Sequence, residues 1–225
     1  MNKAESLKPR GKIDPTAGVR YLPELERKME VTFNYLKHRS PHPVRRWTID
    51  SLNRVLLNML QKVHPTSILD VGSGEGFTLN FIKKNLDVKV EGVDFSPVAI
   101  KLGHALFPKI KLDVADIYRL PYKKRSIDLV LCTEVLEHLE HPREALEEIV
   151  RVAKKYVILS VPHEPFFCLK NLVIGRNIKR LGSSKGHLNL WTSWGFQKFI
   201  KKQNLKILSV RHPFPFTIVL AQKVN

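Results

Sequence analysis

The nine residues Ile68-Leu-Asp-Val-Gly-Ser-Gly-Glu-Gly76 constrain the fold more than any other stretch of the chain. Ile68, Leu69 and Val71 make the short apolar run of a strand buried on both faces, and Gly72, Gly74 and Gly76 follow it with no Cβ to obstruct a tight turn. A helix beginning near Phe77 would offer its free N-terminal amides just past that turn. Such a junction lets a ligand lie directly against backbone. By itself the pattern serves a nucleotide site, a dinucleotide site or a purely structural turn, so its neighbours decide.

Val88-Lys-Val-Glu-Gly-Val-Asp94 reads as a second strand ending in a carboxylate, where a nucleotide fold carries the acid that accepts from a ribose diol. The structural alternative for Asp94 is a helix cap, with Ser96 as a rival. A third apolar segment, Ile110 to Val114, runs into Ala115-Asp116-Ile117, which puts another acid at a strand end within reach of an adenine amino group. Further strands are expected near 127–132 and 155–161, with helices between them. This alternation implies an α/β, doubly wound, mostly parallel sheet. A helix near Thr192–Lys202 and two strands, Lys206–Arg211 and Phe216–Gln222, would bring the sheet to seven strands. Ahead of it, Leu22–Lys37 and Trp47–Val63 show helical apolar spacing and form an expected N-terminal cap.

At this point the chain resembles the class I S-adenosylmethionine (SAM) dependent methyltransferases, of the type 11 and ubiquinone-pathway O-methyltransferase kind, over roughly residues 45 to 225. ILDVGSGEG is similar to their first motif, GVDFS to the second, VADIYRLPY to the third and IDLVLCTEVLEHLEHP to the fourth, in family order and at family spacing. The resemblance implies a Rossmann-like fold with an antiparallel final strand. It implies that Asp70 and the turn Gly72, Ser73, Gly74 and Gly76 meet the amino-acid part of SAM, and that Asp94 holds the ribose hydroxyls. Phe95, Asp116, Ile117 and Thr133 complete the implied cofactor set, with Asp116 and Ile117 on the adenine. Hydride transfer fits less well, because Asp-x-Gly-x-Gly-x-Gly is not the dinucleotide spacing Gly-x-Gly-x-x-Gly.

The fourth motif carries a second constellation. Glu134, Glu137 and His138 stand at i, i+3 and i+4, which on one helical turn would bring all three side chains to one side, with His187 available as a further ligand. The segment resembles ubiquinone-pathway O-methyltransferases and small-RNA 2′-O-methyltransferases, both of which have Glu-x-x-Glu-His here; Gly186-His-Leu-Asn-Leu-Trp-Thr192 is similar to a later element of the RNA group. The resemblance leaves two roles open: a divalent cation, with Mg²⁺ expected from a carboxylate-rich set and zinc favoured by more nitrogen, or, as in related methyltransferases without a metal, shaping of the SAM pocket or packing. His163, in Ser160-Val-Pro-His-Glu-Pro165, is a candidate general base together with His187; packing or a backbone hydrogen bond is the plainer role for His163. SAM is already an activated electrophile, so a transferase must chiefly align it with a nucleophile. The Asn/Asp-Pro-Pro-Tyr signature of DNA amino-group methylation is absent, with Cys132-Thr-Glu134 in its place.

Of the 225 residues, 38 are Lys or Arg and 21 are acidic, and the imbalance is uneven. Residues 1–66 carry about +7, residues 67–150 about −3 and residues 151–225 about +13, the last with Glu164 as its sole acid. An acceptor of anionic character follows, small or lipid-linked, with RNA as the alternative acceptor and a non-catalytic SAM-fold module as the alternative from another class. Phe166 to Leu181 interleaves apolar residues with Lys170, Arg176, Lys179 and Arg180, which suits either peripheral membrane contact or a lid. The expected organisation is an N-terminal arm and cap helix over 1–45 and a methyltransferase domain over 46–225, with 162–190 as a substrate-side insertion or lid. Residues 1–20 read as a flexible polar arm. No signal peptide or 18-residue apolar run is visible and only two cysteines occur, so the expected setting is cytoplasmic, with both thiols reduced.

Overall fold

The computed structural model describes residues 29–173 and 186–224. The chain divides into two compact units between Pro121 and Tyr122. In the first, helices α1 (Phe33–Arg39) and α2 (Pro43–Val63) precede β1 (Ser67–Val71), α3 (Phe77–Asn85), β2 (Lys89–Asp94), α4 (Pro97–Leu106) and β3 (Lys111–Val114). The strands lie in the order β3-β2-β1, all parallel, with Ile68 opposite Val90 and Gly92 opposite Leu112. Ile68, Leu69 and Val71 are at most 1% exposed, as a strand covered on both faces requires.

The second unit contains β4 (Ile127–Thr133), a 3₁₀ turn over Leu136–His138, α5 (Pro142–Val152), β5 (Ala153–Pro162), α6 (Phe166–Val173), α7 (Ser193–Lys201), β6 (Leu205–Arg211) and β7 (Phe216–Lys223). Here β4 and β5 are parallel, while β7 runs antiparallel to both β5 and β6, as the resemblance implied. α5 buries Ala145, Leu146, Ile149 and Val152 completely, the i, i+1, i+4, i+7 stripe of a helix lying on a sheet. Among the described residues there are thus seven strands in a mixed parallel and antiparallel arrangement, each expected near its observed position.

The N-terminal helices depart from expectation. Instead of spanning Leu22–Lys37, the first described helix starts at Phe33, because the Thr32 hydroxyl caps it by accepting from the Tyr35 amide. Residues 1–28, including the expected flexible arm, lie outside the described residues. α2 begins four residues before Trp47, since Pro43 is preorganised for a first helical turn. Of the apolar and basic stretch 166–181, residues 174–181 lie outside the described residues, as do the side chains of Lys170 and Val173. Among the described residues no helix is long and apolar enough to cross a membrane.

Close packing in the first unit turns on Gly92. A Cβ there would stand 2.6 Å from Leu79 Cδ1, 2.7 Å from Leu112 Cδ2 and 2.7 Å from Ser73 Oγ. Gly92→Ala is therefore expected to lower unfolding stability by about 1–3 kcal/mol, through displacement of α3, β3 and the glycine turn at once. A urea midpoint equal to that of the unaltered chain would contradict this packing.

Candidate active site

The turn after β1 forms because its amides have a fixed destination. Gly72 N and Ser73 N both donate to Val93 O, at 2.8 and 3.0 Å, which draws the start of the turn onto the end of β2. Gly72, Gly74 and Gly76 then adopt φ of 78°, 54° and 85°, the left-handed region that glycine enters at no steric cost. Ser73 is buried with its hydroxyl toward Gly92, so its contribution here is packing and its backbone amide.

Asp94 ends β2 as a bridge. Its Oδ2 accepts from Gly74 N at 2.8 Å and its Oδ1 from Ser96 N at 2.9 Å, while Ser96 itself caps α4 by accepting from Ala99 N. The capping role considered for Asp94 thus falls to Ser96. Asp94 remains half-buried, with lone pairs that a ribose diol could still meet. Phe95, next in the chain, is 80% exposed, a free aromatic face beside that carboxylate. Asp116 lies past β3, where its Oδ1 accepts from Tyr118 N, and Ile117 beside it is half-buried; Ala115 N donates to Asp94 O and ties this loop to the end of β2. The first unit therefore gathers Asp70, the glycine turn, Asp94, Phe95, Asp116 and Ile117 along one edge of its parallel strands.

Asp70 is 1% exposed and its Oδ1 has no hydrogen-bond partner among the described residues. Burial, and next the charge of Asp94, push its carboxyl up to about 8. A buried acid of this kind is stabilised by a cationic ligand group.

The second unit carries the other candidates. Thr133 ends β4, half-buried and opposite Ser160. Glu134 follows with φ of 58°, so the second half of the fourth motif starts on a left-handed residue and then a 3₁₀ turn, not the α-helical turn that would align three side chains. As a result the side chains that gather are Glu137, His138 and His187, whose ligand atoms all lie within 4.8 Å of one another; Glu134 is not among them. The stretch 186–189 is fastened to the motif by backbone, with Leu188 N and Asn189 N both donating to Glu137 O, at 2.8 and 3.1 Å. His138 Nδ1 lies 2.9 Å from Gly186 O, and a carbonyl can only accept, so Nδ1 is the donor in this contact and Nε2 points away from it. His187 packs edge-on against His138, and burial followed by the His138 charge lowers its pKa, with Glu164 and Glu134 opposing.

His163 sits after β5, held by His163 N donating to Pro215 O, with its ring against Phe166 and His212. Burial, then His212, lowers its pKa, while Glu164 opposes. A neutral imidazole with a lone pair is what a general base requires. His212 was missing from the sequence reading; its Nε2 lies 2.8 Å from Ser193 Oγ, a juxtaposition that only the β6–β7 turn creates. Glu164 was also missed. It is 8% exposed, accepts from Cys168 N through Oε2 and leaves Oε1 without a hydrogen-bond partner among the described residues. Burial and Glu164 push the Cys168 thiol up to about 11, which leaves it an inert packing group.

With this geometry in hand, the comparisons are consistent. Residues 69–161 match the model of a methyltransferase domain. Norajmaline N-methyltransferase of Rauvolfia serpentina is 34% identical over 108 residues, covering 44% of this chain and 37% of the plant protein. An O-methyltransferase of Pyrenophora dematioidea is 33% identical over 117 residues, 48% of this chain and 44% of the fungal one. The chain thus spans less than half the length of these relatives. A SAM-dependent methyltransferase structure from Aquifex aeolicus superposes with a TM-score of 0.63 at 18% identity, over 95% of this chain and all of that one, which places the fold in the Rossmann-like class.

Asp70 generates a prediction about pH. An unfolded aspartate ionises near pH 4, so between about pH 4 and 8 the folded chain holds the extra proton and this residue costs more stability as pH rises, levelling off above about 8. Asp70→Asn should accordingly gain stability relative to the unaltered chain, with a larger gain at pH 8 than at pH 5 in urea unfolding. An equal gain at both values would place the Asp70 proton elsewhere.

Proposed function

We propose, from the premise that residues 69–161 form a class I SAM-dependent methyltransferase domain, that this chain transfers the methyl group of SAM to an oxygen of a small or lipid-linked acceptor of anionic character. The observation that carries the oxygen assignment is the Glu137, His138 and His187 cluster, since a hydroxyl acceptor must lose a proton as its oxygen attacks, whereas an amine needs no such help. An O-methyltransferase among the relatives agrees with this reading; the N-methyltransferase beside it shows that the domain alone does not select the atom.

The first unit binds the cofactor in this reading. The glycine turn and Asp70 take its amino-acid end, Asp94 the ribose diol, and Phe95, Asp116 and Ile117 the adenine. The second unit supplies the proton chemistry. His163, neutral and held by backbone, accepts a proton at its free ring nitrogen, and His187 does so beside Glu137 and His138.

The same cluster fits a divalent cation. One carboxylate and two imidazoles converge, and His138 is oriented by its Nδ1–H to a carbonyl, the arrangement that prepares Nε2 for a metal. With Glu134 outside the group, nitrogen outnumbers carboxylate, so Mn²⁺ or Zn²⁺ suits the set better than Mg²⁺. Such an ion would hold a substrate hydroxyl and lower its pKa. Anionic character in the acceptor follows from the +13 carried by residues 151–225. A lipid-borne or otherwise amphiphilic acceptor, met at a membrane surface, follows from the exposed Phe166, Leu169 and Leu172 of α6 and Leu188 and Leu190 nearby in the chain.

The test is transfer of radiolabelled methyl from SAM into a lipid extract and, separately, into RNA, with Mn²⁺ or with EDTA. Label should enter the organic-soluble fraction, and Glu137→Ala, His138→Ala or EDTA should each reduce transfer by more than about tenfold. Label in RNA alone would replace the acceptor class. Full transfer with EDTA and in both variants would remove the metal and leave His163 as the base.

A further inference from the structure

A residue outside all four motifs stands over the glycine turn. The side-chain amide of Asn34, on α1, lies so close to Gly74 that a Cβ on that glycine would be 2.9 Å from Asn34 Nδ2 and 3.8 Å from Cγ. What holds it there is Glu75, the residue between Gly74 and Gly76. Glu75 is completely buried; its Oε2 accepts from Asn34 Nδ2 at 2.6 Å and its Oε1 from the Thr32 hydroxyl. Thr32 in turn caps α1 by accepting from Tyr35 N, so helix cap, hydroxyl, carboxylate and glycine turn form one continuous chain of hydrogen bonds.

A seven-residue helix has no stability of its own, and α1 keeps its place through these contacts and two others. Tyr35 is fully buried, and His38 stacks on Phe77 with centroids 4.1 Å apart and planes 4° from parallel. Burial, and next Lys37, hold His38 down to about 3, so the stack is between neutral rings at any physiological pH. The arrangement anchors α1 to the first residue of α3, immediately after the turn.

Resting on the methyltransferase reading above, we infer that Asn34 is a cofactor-binding residue, fixed by Glu75 as a positioning residue, and that it contacts the amino-acid end of SAM over Gly74. A carboxamide offers two donors and an acceptor. One N–H is committed to Glu75, which leaves the second N–H for a carboxylate and the carbonyl oxygen for an ammonium. The amino-acid end of SAM carries both. Asn34, beside Gly74, then joins the buried Asp70 of β1 in serving that end, and cofactor binding and α1 docking become linked equilibria.

The experiment compares S-adenosylhomocysteine with 5′-methylthioadenosine, which keeps the adenosine and lacks the amino-acid end, by titration calorimetry. The unaltered protein binds the first more tightly. In Asn34→Ala, and in Glu75→Gln, the affinity for S-adenosylhomocysteine falls by about tenfold, as for one lost hydrogen bond to a charged group, while methylthioadenosine binds as before. A gap between the two ligands that survives in both variants overturns the inference, and so does an equal loss for both ligands, the signature of a merely structural α1. If the unaltered protein, shown to be folded, binds neither ligand, the methyltransferase reading itself fails and this inference with it. Asn34→Ser serves as the milder replacement should α1 detach in the alanine variant.

Discussion

The carboxylate of Asp94 is the tie on which the glycine turn of the first unit depends. One oxygen takes the amide of Gly74 and the other the amide of Ser96, so the end of β2, the middle of the glycine turn and the start of α4 share one anchor. Val93 O reinforces it by accepting from Gly72 and Ser73. The glycines supply the left-handed backbone that brings those amides round, and Gly92 supplies the room for Ser73 and Leu79 behind them. Binding surface and fold are the same object here: the groups that would face a nucleotide are those that hold the turn closed.

Much of this was legible from residue order. Strands covered on both faces give unbroken apolar runs, which is why β1, β4 and β5 were visible, and acids placed just past such runs marked the edge where ligands bind in parallel α/β sheets. The fourth motif shows where pattern reading stops. A spacing of i, i+3, i+4 aligns side chains only on an α-helix, and the left-handed Glu134 followed by a 3₁₀ turn turns Glu137 and His138 toward His187 instead. Contacts between residues far apart in sequence left no local signal at all. Thr32 and Asn34 on Glu75, and Ser193 on His212, are products of tertiary packing. Thr32 alone had a local clue, being a good capping residue ahead of an apolar helix.

The two units divide the chemistry by charge type. In the proposed reading the first offers carboxylates and backbone amides to a ligand with a cationic end; Asp70 Oδ1 is buried with no hydrogen-bond partner among the described residues. The second collects histidines: burial lowers the pKa of His163 and His187, and the His138 ring is oriented by its Nδ1 against Gly186 O. A transferase using an electrophile as reactive as SAM needs little beyond alignment and a group that can accept a proton.

The measurement that bears most directly on this account is calorimetric titration of SAM into the folded protein and into Asp94→Ala, with NAD as the competing nucleotide. The account predicts saturable binding of SAM, loss of that binding in the variant, and no binding of NAD. Binding of NAD in place of SAM, or SAM affinity untouched by the loss of Asp94, would contradict it.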